Sequence, residues 1–189
     1  MLPPDLQGLL DQTDACEAEA ERLVADLDDD GVNWVPPPEK RVSAWSIAQC
    51  LHHLILMNEF YLRQWPAALS EAASKAHPPF NGLRPTPFGK WFVNWLEPPA
   101  RTKTKAIALA TPGPRFPRAG LVEQYKASHE VYRHLVRGSA AIDINRVVRR
   151  NPIITYVNMR LSTVLMIVPA HDRRHLWQAA NVKRAMRGV

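Results

Sequence analysis

At 189 residues the chain is long enough to bury one core and too short for a two-domain dinucleotide-binding enzyme. With 46% hydrophobic and 22% charged residues it reads as globular, not disordered or fibrous, and its formal charge of +6 makes nucleic acid or an anionic surface the first partner to weigh. No apolar run nears the roughly 18 residues that span a bilayer, and the opening MLPPDLQGLLDQTD lacks the basic and apolar regions of a secretory signal, so a cytoplasmic protein without a membrane partner is expected.

Leu6, Leu9, Leu10, Thr13, Cys16, Ala20, Leu23, Val24 and Leu27 recur at three- and four-residue steps, which predicts an amphipathic first helix from Asp5 to Asp28. Three consecutive prolines in the linker that follows cannot sit in a helix interior, so the chain crosses over there. Ser46 and Gln49 match the capping-box pattern. They open a second helix near Trp45 whose stripe, Ile47, Cys50, Leu51, Leu54, Met57, Tyr61, Trp65 and Leu69, runs on to about Ser74. Cys16 and Cys50 both fall on apolar stripes, as buried reduced thiols do, and neither has metal-knuckle spacing.

Between Ala76 and Arg118 lies a long proline-rich crossover. It carries Arg84, Lys90, Arg101, Lys103, Lys105, Arg115 and Arg118 against Glu97 alone. Within it PFGKWFVNWLEPP is expected to form two helical turns that pack Phe88, Trp91, Phe92 and Trp95 over the core. A third helix is predicted from Gly120 to Arg137, facing inward through Leu121, Tyr125, Ser128, Val131, Tyr132 and Leu135. The fourth is expected to begin after Asn151-Pro152, with proline in its first turn, and to be kinked by Pro169. No segment shows strand alternation, so the fold class is all-α, a four-helix bundle in one domain over residues 1–189. An acidic first helix beside an arginine-rich last one is a plain way to pair the termini.

Polar residues on apolar stripes carry the functional information, because burying them costs free energy unless a partner satisfies them. Taking about 100° per residue and Val168 as centre, His171 and His175 both lie within roughly 60° of the middle of the last stripe. Imidazoles four residues apart lie one turn from each other and can chelate one divalent cation. The sequence HDRRH has Asp172 where a zincin protease has glutamate, which argues against that protease class. On helix two, with Leu54 as centre, His53 sits at the stripe's edge, about 100° away, and His52 about 160° away, toward solvent. Together His53, His171 and His175 make a three-histidine site for zinc, nickel or iron with a coordination position left open. No role falls to His77, His129 or His134, no acid is placed as a general base, and the sequence leaves the catalytic residues unknown.

The segments WSIAQCLHHL and HDRRHLWQAANVKR resemble the two signature regions of the DinB-like superfamily, which includes the YfiT-like metal-dependent hydrolases. WVPPPEKRVSAWS, PARTKTKAI and DINRVVRRNP extend the likeness over most of the chain. The resemblance implies an up-down-down-up bundle and a divalent metal held by His53, His171 and His175. It also implies hydrolase or thiol S-transferase chemistry on a small molecule, with a low-molecular-weight thiol as co-substrate in the second case, and a homodimer. Asp172 and Gln178 are candidates for orienting a ligating imidazole through its second nitrogen. Two readings compete with an enzyme: a basic nucleic-acid or anion-binding protein using the 84–118 segment with Trp91 and Trp95 as stacking residues, and a metal-stabilised scaffold without turnover.

Overall fold

The computed structural model describes residues 1–40, 43–75, 77–100 and 106–188. Arg101, Lys103 and Lys105 of the basic crossover lie outside the described residues. The chain is mostly helical, with one small two-stranded sheet.

Helix α1 (Pro4–Val24) buries the stripe predicted for it, Leu6 through Val24. It stops short of Asp28 because that residue caps a separate short helix, α2 (Asp29–Asn33): the Asp28 carboxylate accepts from the Gly31 N–H at 2.8 Å, and Asp29 and Asp30 suit the positive end of the helix dipole. The expected second helix is two. Helix α3 (Ile47–Leu62) opens on the capping box, in which Ser46 accepts from the Gln49 N–H at 3.1 Å and the Gln49 side chain accepts from the Ser46 N–H at 3.0 Å. Helix α4 (Trp65–Ala73) is set off by Pro66, which has no N–H to donate to residue 62 and so belongs in a first turn, not mid-helix.

The aromatic stretch of the crossover forms α5 (Pro87–Leu96), capped by Thr86. Its buried residues are Gly89, Val93 and Leu96; Phe88 and Trp91 are exposed and only Phe92 and Trp95 pack partly against the core, so the expected inward face is rotated. The reason is at Gly89, where a Cβ would lie 2.7 Å from Thr163 Cγ2. The missing side chain lets α5 sit directly on the last helix.

The third predicted helix is also divided, into α6 (Leu121–Ser128) and α7 (Glu130–Gly138). The break falls at His129, whose N–H turns back to the Lys126 carbonyl at 3.0 Å. This re-aims the inner face: Val131 is exposed, and His129 takes the inside position with Tyr125 and Tyr132. Residues 148–160 correct the all-helical expectation. Strands β1 (Val148–Arg150) and β2 (Asn158–Arg160) pair antiparallel, and at three residues each they are too short to show a period of two. Asn151-Pro152 starts no helix; the Asn151 Oδ1 accepts from the N–H groups of Ile153 and Ile154 and closes the turn between the strands.

The last helix, α8 (Leu161–Arg187), is the spine on which α1, α3 and α5 pack. It contains Pro169, whose missing N–H leaves the Leu165 carbonyl without its helical donor. The Tyr132 hydroxyl fills that place, donating to the Leu165 carbonyl at 2.7 Å while fully buried. Tyr132→Phe is therefore expected to destabilise the protein by about 1–3 kcal/mol by leaving this carbonyl unpaired, which chemical denaturation measures; an unchanged midpoint would show that the carbonyl finds another donor.

Lys183 and Arg187 of α8 pair with Asp26 beyond the end of α1, as the charge segregation predicts. Buried apolar residues form two clusters. One takes in Val164 to Ala170 of α8 together with Trp65, Val93 and Tyr132; the other begins on α8 at Leu176 and includes Cys16, Cys50 and Leu51. The turn of α8 between the clusters, residues 171–175, carries the histidine pair.

Candidate metal centre

Helix α3 faces α8 at this turn and brings His53 to His171 and His175. The ring centroids are 5.3 Å (His53 to His171), 4.5 Å (His53 to His175) and 4.6 Å (His171 to His175) apart. One candidate ligand atom from each lies within 4.8 Å of the other two. The three residues selected from helical phase meet, and His52 does not join them. It turns away and stacks on Phe116 with ring centroids 4.1 Å apart, so it is half-buried, where solvent was expected.

The surroundings fit a metal. The His53 Nδ1 is 2.6 Å from the Ala110 carbonyl, an acceptor only, so this nitrogen carries the proton and Nε2 keeps its lone pair. The His175 Nδ1 is 3.0 Å from Gln178 Oε1, which enforces the same tautomer there. Such bonds on the far nitrogen are what orient metal-ligating imidazoles. Burial lowers the pKa of His53, and it takes His171 to about 3 and His175 well below the ordinary value, with the neighbouring rings and Arg174 adding to the effect on the last two. All three imidazoles are neutral at pH 7, the form that binds a cation.

Gln178 also donates to Ser43 Oγ at 2.7 Å, tying the centre to the segment before α3, and Ser43 Oγ in turn accepts from the Trp45 N–H at 2.9 Å. The tryptophan ring then lies against two of the histidines, 4.9 Å from His53 and 5.9 Å from His175. Trp45 walls the site while Ser46 starts the helix that carries His53, which gives the Trp-Ser pair a physical reason.

Asp172 is placed differently from the expectation. About 100° round α8 from His171, it faces α7 and accepts from His129 Nε2 at 2.9 Å; it orients none of the three clustered imidazoles. The other nitrogen of His129 meets Glu17 Oε1 at 2.8 Å, and Arg133 donates to Glu17 Oε2 at 2.8 Å. This buried network was missed in the sequence, although a signal was there: Glu17 lies on the α1 stripe between Thr13 and Ala20, and His129 falls four residues after Tyr125 and three before Tyr132.

The three histidines open onto a cavity of about 740 Å³ between α3, α5, α8 and the loops at residues 43–45, 106–111 and 151–154. Its walls are largely apolar, Trp45, Phe92, Ile107, Ile154 and Ile167 among them, and no acidic side chain lines it among the described residues. Tyr61 reaches the wall, but its hydroxyl accepts from Asn151 at 2.7 Å and lies 2.9 Å from Met159 Sδ, a core position as predicted. Of the basic crossover, Arg115 pairs with Asp30, and the Arg118 guanidinium donates to the carbonyls of Val24 and Ala25. Part of the charge that suggested nucleic acid is thus matched within the chain.

The profile of the DinB superfamily matches residues 12–179, a span that holds all three histidines and Gln178. The chain belongs to the DinB superfamily. No curated protein and no solved structure matches it. DinB superfamily membership fits metal binding, and the three-histidine cluster could hold a metal ion. Among the described residues no helix is long and apolar enough to cross a membrane.

Proposed function

We propose that this DinB superfamily protein is a divalent-metal-dependent transferase that joins the sulfur of a low-molecular-weight thiol to a small electrophile. The observation that carries the reading is the pairing of His53, His171 and His175, preset as neutral ligands, with a roomy apolar cavity that offers no carboxylate among the described residues. His53, His171 and His175 would hold a divalent cation, whether zinc, nickel or iron, and that cation would supply the lowering of the pKa of a thiol or water. Hydrolysis at such a site commonly draws on a general base as well; a thiol with a depressed pKa is already a competent nucleophile, so the absence of acids from the described cavity wall favours sulfur over water.

In this reaction the C–S bond forms as the bond from carbon to its leaving group breaks, the leaving group takes that electron pair, and the thiol proton passes to it or to solvent. The chain's own contribution is positional. Ala110 and Gln178 hold the rings of His53 and His175, Trp45 and Phe92 exclude water, and the apolar wall seats the electrophile. In this reading α1, α3 with α4, α6 with α7, and α8 are the four members of an up-down-down-up bundle. Residues 1–189 act as one domain, in a cytoplasmic homodimer.

Metal-loaded protein incubated with a panel of bacterial thiols and electrophiles, read by mass spectrometry, tests the reading. Thioether adducts that form only with metal present are expected. Hydrolysed electrophile without adduct would move the protein to the hydrolases, and no product from any pair would leave the metal a structural part of a scaffold.

A further inference from the structure

We infer that the electrophile is a molecule with a hydrocarbon body, ring or chain, whose polar atoms are confined to its reacting end at the histidines. The inference deepens the proposed function and rests on it for what that end undergoes; the selection of the body is a property of the cavity and needs no metal.

The wall sorts into two kinds of surface. Trp45, Met57, Phe92, Ile107, Ile154 and Ile167 present hydrocarbon. The amides, hydroxyls and guanidinium beside them are bound to their own chain. Gln178 spans His175 Nδ1 and Ser43 Oγ, and the Ser43 hydroxyl donates to the Trp45 carbonyl at 3.0 Å. The Asn151 amide donates to the Tyr61 hydroxyl at 2.7 Å and to Met159 Sδ at 2.8 Å, while its oxygen accepts from the turn between the strands. Thr111 donates to the Ile107 carbonyl at 3.1 Å. Arg174 donates to the Trp95 carbonyl at 3.0 Å, stacks over that ring and has a further partner besides.

These bonds decide the selection. A hydroxyl, amide or charge on the body of a ligand gives up its water on entering, and these side chains have already committed their donors. A methylene instead gains about threefold to fourfold in affinity when it is buried. The histidines are the exception. With Nδ1 of His53 and of His175 held by Ala110 and Gln178, the other ring nitrogens keep their lone pairs, so a polar atom belongs at that end of the cavity. At about 740 Å³ the remainder has room for a ring or a chain of ordinary ligand size.

The test uses protein stripped of metal by a chelator and, in parallel, protein reloaded with zinc. The neutral dye N-phenyl-1-naphthylamine reports occupancy by its emission, and alcohols are titrated against it. From pentan-1-ol to octan-1-ol the affinity should rise about threefold to fourfold for each methylene. Octane-1,8-diol, whose second hydroxyl has to enter the apolar wall, should bind about tenfold or more weakly than octan-1-ol. Both results are expected with and without zinc. Ile107→Asp and Ile154→Asp, each placing a charge on the wall from a loop, should weaken octan-1-ol about tenfold or more; Trp91→Ala, which removes an exposed ring outside the cavity, should leave it unchanged. A series without slope, a slope that needs zinc, a diol that matches octan-1-ol, or no dye displacement at millimolar alcohol overturns the inference. So does binding that is lost in Trp91→Ala and kept in both aspartate variants. Should one aspartate variant fail to fold by circular dichroism, the other and the alcohols on wild type still decide. Absence of any thioether adduct would sink the transferase and leave these affinities standing, whereas a flat alcohol series would leave the metal chemistry and remove this class of electrophile.

Discussion

His171→Ala is expected to abolish stoichiometric metal binding. Purified without a histidine tag or chelators, wild type should carry one divalent ion per site by elemental analysis, and the variant, like His53→Ala, essentially none. The expectation follows from ligand number: three imidazoles from α3 and α8 converge within 4.8 Å, and two remaining nitrogens no longer surround a cation. Losing a bond that merely orients a ligand costs about 10–100-fold in affinity, so Gln178→Ala should fall in that range and the ligand variants well beyond it. Thermal unfolding supplies a second readout. An ion at a thousand times its dissociation constant adds about 4 kcal/mol to stability; wild type should gain this on zinc addition and His171→Ala should not. Without metal the two should unfold at similar temperatures, since burial keeps His171 neutral and it holds no charge partner to lose. Equal stabilisation of both by zinc would mean that the ion binds elsewhere, and the enzymatic reading would go with it.

The histidine trio was legible because every signal for it is local. His171 and His175 share a face by their spacing, His53 sits at the edge of its own stripe, and both helices announce themselves by apolar periodicity. What holds those rings is not local. The Ala110 carbonyl lies 57 positions from His53 and is a backbone atom, so no side chain marks it. Gln178 was visible because it is three residues from His175, whereas its second partner Ser43 is 135 positions away. The helix breaks divide in the same way. Pro66 was in plain view and could have split the second helix, but the unbroken stripe through Trp65 and Leu69 masked it. The break at His129 has no proline or glycine beside it; the strands at residues 148–150 and 158–160 are shorter than any pattern that would reveal them.

Stability should fall as the pH rises from about 6.5 to 9, and His129 is the cause. Both of its ring nitrogens face carboxylates, Glu17 on one side and Asp172 on the other, and only the protonated ring can donate to both. Burial opposes the charge, but the charge and hydrogen bond of Asp172 and those of Glu17 outweigh it and raise the pKa from 6.5 to about 9. Because the folded protein then holds a proton that the unfolded chain has released, this contribution is complete below 6.5 and vanishes above 9, a loss of about 3 kcal/mol for a shift of this size. On the acid side the sign reverses. His53, His171 and His175, held neutral by burial, favour the unfolded chain once it protonates below 6.5. Glu17, whose pKa is lowered because the bonds from His129 and Arg133 outweigh burial, loses its contribution as pH falls below its ordinary 4.5. Metal-free protein should therefore be most stable near pH 6.5. His129→Ala leaves two carboxylates facing a void, a loss of about 3–5 kcal/mol at neutral pH, and it should flatten the decline between 6.5 and 9. Denaturant titrations across that range check both statements. An alkaline decline of the same size in His129→Ala would place the responsible proton on another group.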